Sequence, residues 1–173
     1  MFEPITNQFK YRDKPKPVRH ALLTLDHKWM YFLRLHDIAT KLERGASHED
    51  RKKATREFRQ LRRFENWEQL FASTGKLDSK IRDVLPLLDA SSRRQLQKHM
   101  QELKALEGSV LRETAEHLKP LLEVNEESID WKSVHDLAIK IRTQLAAIVA
   151  VEQTLKSIVK ERSSTALQPA LAR

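Results

Sequence analysis

Three glycines in 173 residues, Gly45, Gly75 and Gly108, leave this chain very few places to reverse sharply. Glycine supplies the positive backbone angles of tight turns, so a chain nearly without it must build few, long elements. Three of the six prolines, Pro4, Pro15 and Pro17, crowd ahead of the first periodic segment, which leaves the remainder still freer of breakers. Through that remainder apolar residues recur at spacings of three and four, the helical period. The expectation is all-α: a four- to five-helix bundle with a long C-terminal helix and an extended basic N-terminal arm.

The pattern divides the chain into an arm over residues 1–16, a helical bundle over 17–162 and a flexible tail over 163–173. The arm has no period and carries Lys10, Arg12, Lys14 and Lys16. A first helix runs from Pro17 to about Arg44, with Val18, Leu22, Leu25, Trp29, Phe32, His36 and Ala39 as its seam and Tyr31, Leu35, Ile38 and Leu42 as a second stripe. An apolar arc that wide belongs to a central helix. Ser47, with Glu49 and Asp50 behind it, caps a second helix buried through Ala54, Phe58, Leu61 and Phe64. A capping box from Asn66 to Gln69 predicts a short restart through Leu70 and Phe71.

Residues 77–88 give a short third helix that Pro86 bends or ends. Asp89 or Ser91 caps a fourth, through Leu96, Met100, Leu103, Leu106, Val110, Leu118 and Leu121, with a kink expected at Gly108. The fifth keeps Val134, Ala138, Ile141, Leu145, Ile148, Leu155 and Val159 on one face from Trp131 to about Arg162.

A chain of this length closes a sound core without staples. With no cysteine it has no disulfide, zinc-thiolate or thiol chemistry. The start, MFEPITNQFKYRD, has no apolar signal region, and the longest apolar run, Leu145 to Val151, is seven residues, far short of a bilayer span. A cytoplasmic location and no membrane partner are the expectation.

Charge is where function becomes legible. Residues 1–63 hold 16 Lys and Arg against 8 Asp and Glu, while residues 64–173 hold 16 of each. The whole surplus of +8 therefore lies in the first third of the chain, and the folded molecule has a basic end on which a polyanion would dock. Within that third, RKKATREFRQLRR at 51–63 places Lys52, Arg56, Arg59 and Arg63 on one narrow strip of a helix, opposite Ala54, Phe58 and Leu61. Lys53 and Arg62 flank the strip. Glu49 is positioned to pair with Lys52 or Lys53, and Glu57 with Lys53; the other cations have few acidic neighbours one turn away. A line of phosphates would relieve their repulsion, and arginine takes phosphate with two parallel hydrogen bonds. No aromatic RNA-binding motif, zinc finger or helix-turn-helix glycine turn accompanies the strip, so contact should follow the backbone rather than the bases. Phe64 and Trp67 stand near it, as core residues or as stacking platforms. A solvated charged face is the competing explanation.

Two short motifs suggest chemistry. Leu35-His36-Asp37-Ile38-Ala39-Thr40-Lys41-Leu42 is echoed by Val134-His135-Asp136-Leu137-Ala138-Ile139-Lys140-Ile141, with four identities in eight. LHDIATK resembles the LHDIGK-like stretch of HD-domain phosphohydrolases, which are also all-helical. The resemblance implies that His36 and Asp37 would ligate a divalent metal that activates water against a phosphoester. It covers about seven residues, with Ala39 where that family has glycine. The echo also reads as a structural repeat, because both copies form the same i, i+3, i+7 apolar stripe. Arg112 with His117, and Arg93 or Arg94 with His99, are similar to the Arg-x(4–6)-His pattern of HEPN ribonucleases; on its own helix His117 also continues an apolar seam. There is no P-loop, GxGxxG, HExxH or G-x-S-x-G.

The reading is a non-enzymatic nucleic-acid-binding accessory protein or ribonucleoprotein subunit, with no catalytic residue, metal or cofactor. RNA or DNA would be held by Lys52, Arg56, Arg59, Arg63, Lys53 and Arg62, helped by Lys10, Arg12, Lys14 and Lys16. A helical adaptor or chaperone is the alternative, since the heptad at 134–159 suits a protein partner or a homodimer.

Overall fold

The computed structural model describes residues 10–43, 47–63, 76–119 and 129–171. All regular structure in these residues is helical, in five helices with no strand. They are α1 (Lys16–Glu43), α2 (His48–Arg63), α3 (76–84), α4 (Ala90–Leu118) and α5 (Trp131–Leu171). The sequence expectation of a helical bundle with a long last helix is met. The restart at 66–71, with Phe64 and Trp67, lies outside the described residues.

Several of the described boundaries have a chemical cause. Pro17 falls in the first turn of α1, where its missing N–H forfeits nothing. The Asp89 carboxylate caps α4 by accepting the Ser92 amide at 2.7 Å, and Asp130 caps α5 by accepting the Lys132 amide at 3.1 Å and the Ser133 hydroxyl at 2.7 Å. Pro86 turns the end of α3 into one turn of 3-10 helix, Leu85–Leu87. Gly108 does not interrupt α4, which runs through it as one helix; a Cβ there would meet nothing within 4 Å, so no packed neighbour forces a bend. The last helix does not stop near Arg162. With no glycine or proline between Trp131 and Gln168, the serines at 163 and 164 only weaken it, and residues expected to form a loose tail are its last turns, to Leu171. Residues 172–173 lie outside the described set.

The acidic caps make a pH prediction. Hydrogen bonds from Ser92, and from Ser133 and the Lys132 amide, hold the Asp89 and Asp130 carboxyls below their ordinary value of 3.8. A depressed folded value means stabilisation that is complete above about pH 4 and lost as the pH falls through the folded value. Urea midpoints should therefore drop between pH 5 and pH 2. Asp89→Asn should keep the cap at neutral pH and make that drop shallower, since asparagine accepts the same bond without titrating. An identical acid limb in the variant would count against the cap.

Three long helices make the core. Arg51, just past the α1–α2 junction, sits 4.7 Å over the Trp131 ring at the start of α5, while Lys156 reaches the Tyr11 ring ahead of α1. Hence α5 runs antiparallel to α1. Its pairing with α4 is antiparallel too: Glu113 and His117 near the end of α4 share a groove with Ser133, Asp136 and Lys140 near the start of α5, and Lys140 pairs with Glu113. Leu22, Leu25, Phe32, Leu35 and Leu42 of α1 meet Leu96, Leu103, Val110 and Leu118 of α4 and Leu137, Ile141, Ile148 and Leu155 of α5 in one buried cluster. Each such side chain withdraws enough apolar surface to stabilise the fold by roughly 1.5–3 kcal/mol before entropy is counted. The two stretches of the His-Asp echo lie at the same end of the bundle, their apolar stripes both buried.

The same core holds a charge pair that the seams of the sequence did not include. Lys28, 1 % exposed on α1, donates to both carboxylate oxygens of Glu107, 3 % exposed on α4, at 2.8 and 3.0 Å. Gln144 of α5 is also fully buried, with neither amide atom hydrogen-bonded.

Candidate nucleic-acid interface

Helix α2 is short, strongly amphipathic and anchored by one face. Ser47 starts it: the Asp50 amide donates to the Ser47 hydroxyl at 3.3 Å, that hydroxyl donates to the Asp50 carboxylate at 3.0 Å, and the Arg51 amide reaches the Ser47 carbonyl at 3.1 Å. Glu49 and Asp50 add negative charge to the positive end of the helix dipole. Ala54, Thr55, Phe58 and Leu61 are buried. Period then dictates the rest, since residues half a turn away must face water.

Lys52, Arg56 and Arg59 are exposed on that outer strip, with Lys53 exposed beside them. Among the described residues no carboxylate lies within ion-pair distance of any of the four. Arg62 and Arg63 occupy the last turn of α2, and their side chains lie outside the described residues. The neutralisation expected within α2 does not occur. Glu57 is drawn off by Lys41 of α1 at 3.0 Å, and Lys41 also holds Asp37 at 2.9 Å. Hydrogen bonds from Asp37, then Glu57, raise the Lys41 ammonium above its ordinary value of 10.5, so it stays charged at neutral pH. The Glu57 carboxylate expected to pair with Lys53 is thus committed elsewhere.

The arm behaves differently from its sequence reading. Residues 10–14 form a turn on the bundle, closed by the Lys14 amide on the Tyr11 carbonyl at 3.0 Å; residues 1–9 lie outside the described set. Lys10 is paired with Asp26 at 2.8 Å, and the Lys14 side chain is only 16 % exposed, with Asp13 at 3.8 Å. Arg12 and Lys16 face solvent. The arm's anchor at Asp26 and the Lys41–Glu57 contact beside the strip are fifteen residues apart on α1, a rise of about 22 Å. The structure therefore holds the arm and the strip as two separate basic features, and engages Lys10 and Lys14 of the arm with carboxylates.

The catalytic candidates do not assemble into a metal centre. His36 is half-buried and its neighbour Asp37 is engaged by Lys41. His135 is exposed. Asp136 and His117 share a shallow groove of about 350 Å³ with Glu113, Ser133, Ile139 and Lys140, at the α4–α5 end of the bundle. Arg112, the partner that the HEPN-like spacing requires, is exposed and does not line it. Arg93 donates to the Leu88 carbonyl at 3.1 Å, and His99 approaches Glu102 at 3.8 Å. No cluster of three or more metal-ligating side chains occurs among the described residues, and no helix among them is long and apolar enough to cross a membrane.

No family model, curated protein or solved structure matches this chain.

Proposed function

We propose that this protein is a non-enzymatic nucleic-acid-binding subunit that grips a phosphate backbone through the outer face of α2. Lys52, Arg56 and Arg59 make the main contacts, with Lys53, Arg62 and Arg63 beside them. The observation that supports this reading is the exposed, unpaired line of cations on a helix whose own Glu57 is held by Lys41. Like charges one turn apart repel, and a polyanion laid along them exchanges that repulsion for charge-assisted hydrogen bonds and counterion release.

A salt titration on a nonspecific oligonucleotide tests it. Affinity should fall steeply with salt, with a logarithmic slope of about −0.7 to −0.9 for each phosphate neutralised. Absence of binding at low salt would refute the reading. It would favour the adaptor alternative, for which the supporting observation is Met30 and Leu33, 44 % and 42 % exposed within one turn of α1.

A further inference from the structure

Tyr11 adopts φ 61°, the only positive value at a non-glycine position among the described residues. Left-handed backbone is unfavourable for a bulky aromatic residue and persists where surrounding contacts hold it. Here they do. The Tyr11 hydroxyl donates to one Asp26 oxygen at 3.2 Å while Lys10 pairs with the other at 2.8 Å. Two ammonium groups approach the Tyr11 ring, Lys10 at 5.2 Å and Lys156 at 5.4 Å from its centroid. Lys156 is steadied in turn by Glu152 at 2.5 Å. One carboxylate on α1 thus holds a hydroxyl by a hydrogen bond and an ammonium by an ion pair, both from the turn, in the place where an outside anion would otherwise attract the ammonium.

We infer that the Lys10–Lys14 turn is a strap, that Asp26 holds it shut as an internal stand-in for phosphate, and that a nucleic acid opens it by taking Lys10 from Asp26. The inference rests on the nucleic-acid reading of α2 and extends it: the arm is a second, masked contact rather than a permanently free one. A phosphate backbone competes well for Lys10, because it offers many acceptor oxygens and releases counterions, whereas Asp26 offers a single partly exposed carboxylate. Opening also releases the strained Tyr11 backbone. While the strap is shut only a fraction of molecules can use both contacts, and apparent affinity is lowered by that fraction.

Asp26→Asn and Tyr11→Phe test it in the full chain. The second keeps the ring and the net charge, and Asp83→Asn, at an exposed position of α3, matches the charge change of the first. Two readouts are needed. Trypsin without nucleic acid reports the strap through cleavage after Lys10 and Arg12, Pro15 and Pro17 blocking the bonds after Lys14 and Lys16. Affinity for a nonspecific duplex oligonucleotide reports the masking. Cleavage at both sites should accelerate about tenfold, and binding tighten about three- to tenfold, in Asp26→Asn and Tyr11→Phe, with Asp83→Asn within twofold of the parent. Unchanged cleavage overturns the strap. Faster cleavage with parental affinity overturns the masking while the α2 interface stands. If no form binds the oligonucleotide at low salt, the proposed function falls and the masking with it.

Discussion

Replacing Lys28 with methionine should lower the unfolding free energy by about 3–5 kcal/mol, because it removes the buried ammonium that both Glu107 carboxylate oxygens accept from. That is a large share of the 5–15 kcal/mol typical of a domain, so the single variant should unfold at much lower urea or fail to accumulate. Removing both charges is a different experiment. Lys28→Met combined with Glu107→Met fills similar volume with apolar atoms and incurs no desolvation of ions. The double variant should equal the parent or exceed it by about 1–4 kcal/mol. The double-mutant cycle then isolates the coupling between α1 and α4, and additive single effects would show that the two groups do not act as a pair.

Reversing Lys52, Arg56 and Arg59 to glutamate should weaken oligonucleotide binding by at least about a hundredfold near physiological salt and remove about 3 units from the logarithmic salt slope, close to 0.9 for each lost phosphate contact. The loss should be the same for unrelated sequences, because the strip offers charge and no base-reading motif. Helicity should persist: Ala54, Thr55, Phe58 and Leu61, which hold α2 in place, lie on its other side. Neutral glutamine versions provide the complementary control. They relieve like-charge pairs worth about 0.2–0.5 kcal/mol each, so α2 should be slightly steadier while binding still falls. Parental affinity in the reversed protein would make the strip an ordinary solvated face.

Particular residues show why the fold was more legible than the site. Helix periods and caps are local, so Ser47, Asp89 and the start at Trp131 followed from short windows of sequence, as did the effect of Pro86. On α4 hydrophobicity alone favours Leu106 for the seam, whereas Glu107 is the buried residue. Counting position alone through 96, 100, 103, 107, 110, 114 and 118 puts Glu107 and Thr114 on the buried seam, and the structure buries both. Lys28 likewise stands three residues after Leu25 and four before Phe32. A charge on each of two seams was the available sign of a buried pair. The strip on α2 was visible because outward direction follows from the helix itself. The capture of Lys10 by Asp26 and of Glu57 by Lys41 was not, since each partner arrives from another element and no spacing rule connects them.

The Lys28–Glu107 contact joins positions 79 residues apart, and α1 finds its other long neighbour in α5. A ribosome emits residues in order. Until Glu107 has emerged, docking Lys28 into an apolar interior would strand an ammonium ion, and until α5 follows, the wide greasy arc of α1 has no full cover. The nascent chain must therefore postpone its final assembly until α5 has emerged, and fragments truncated before Trp131 should be the forms that recruit chaperones or aggregate.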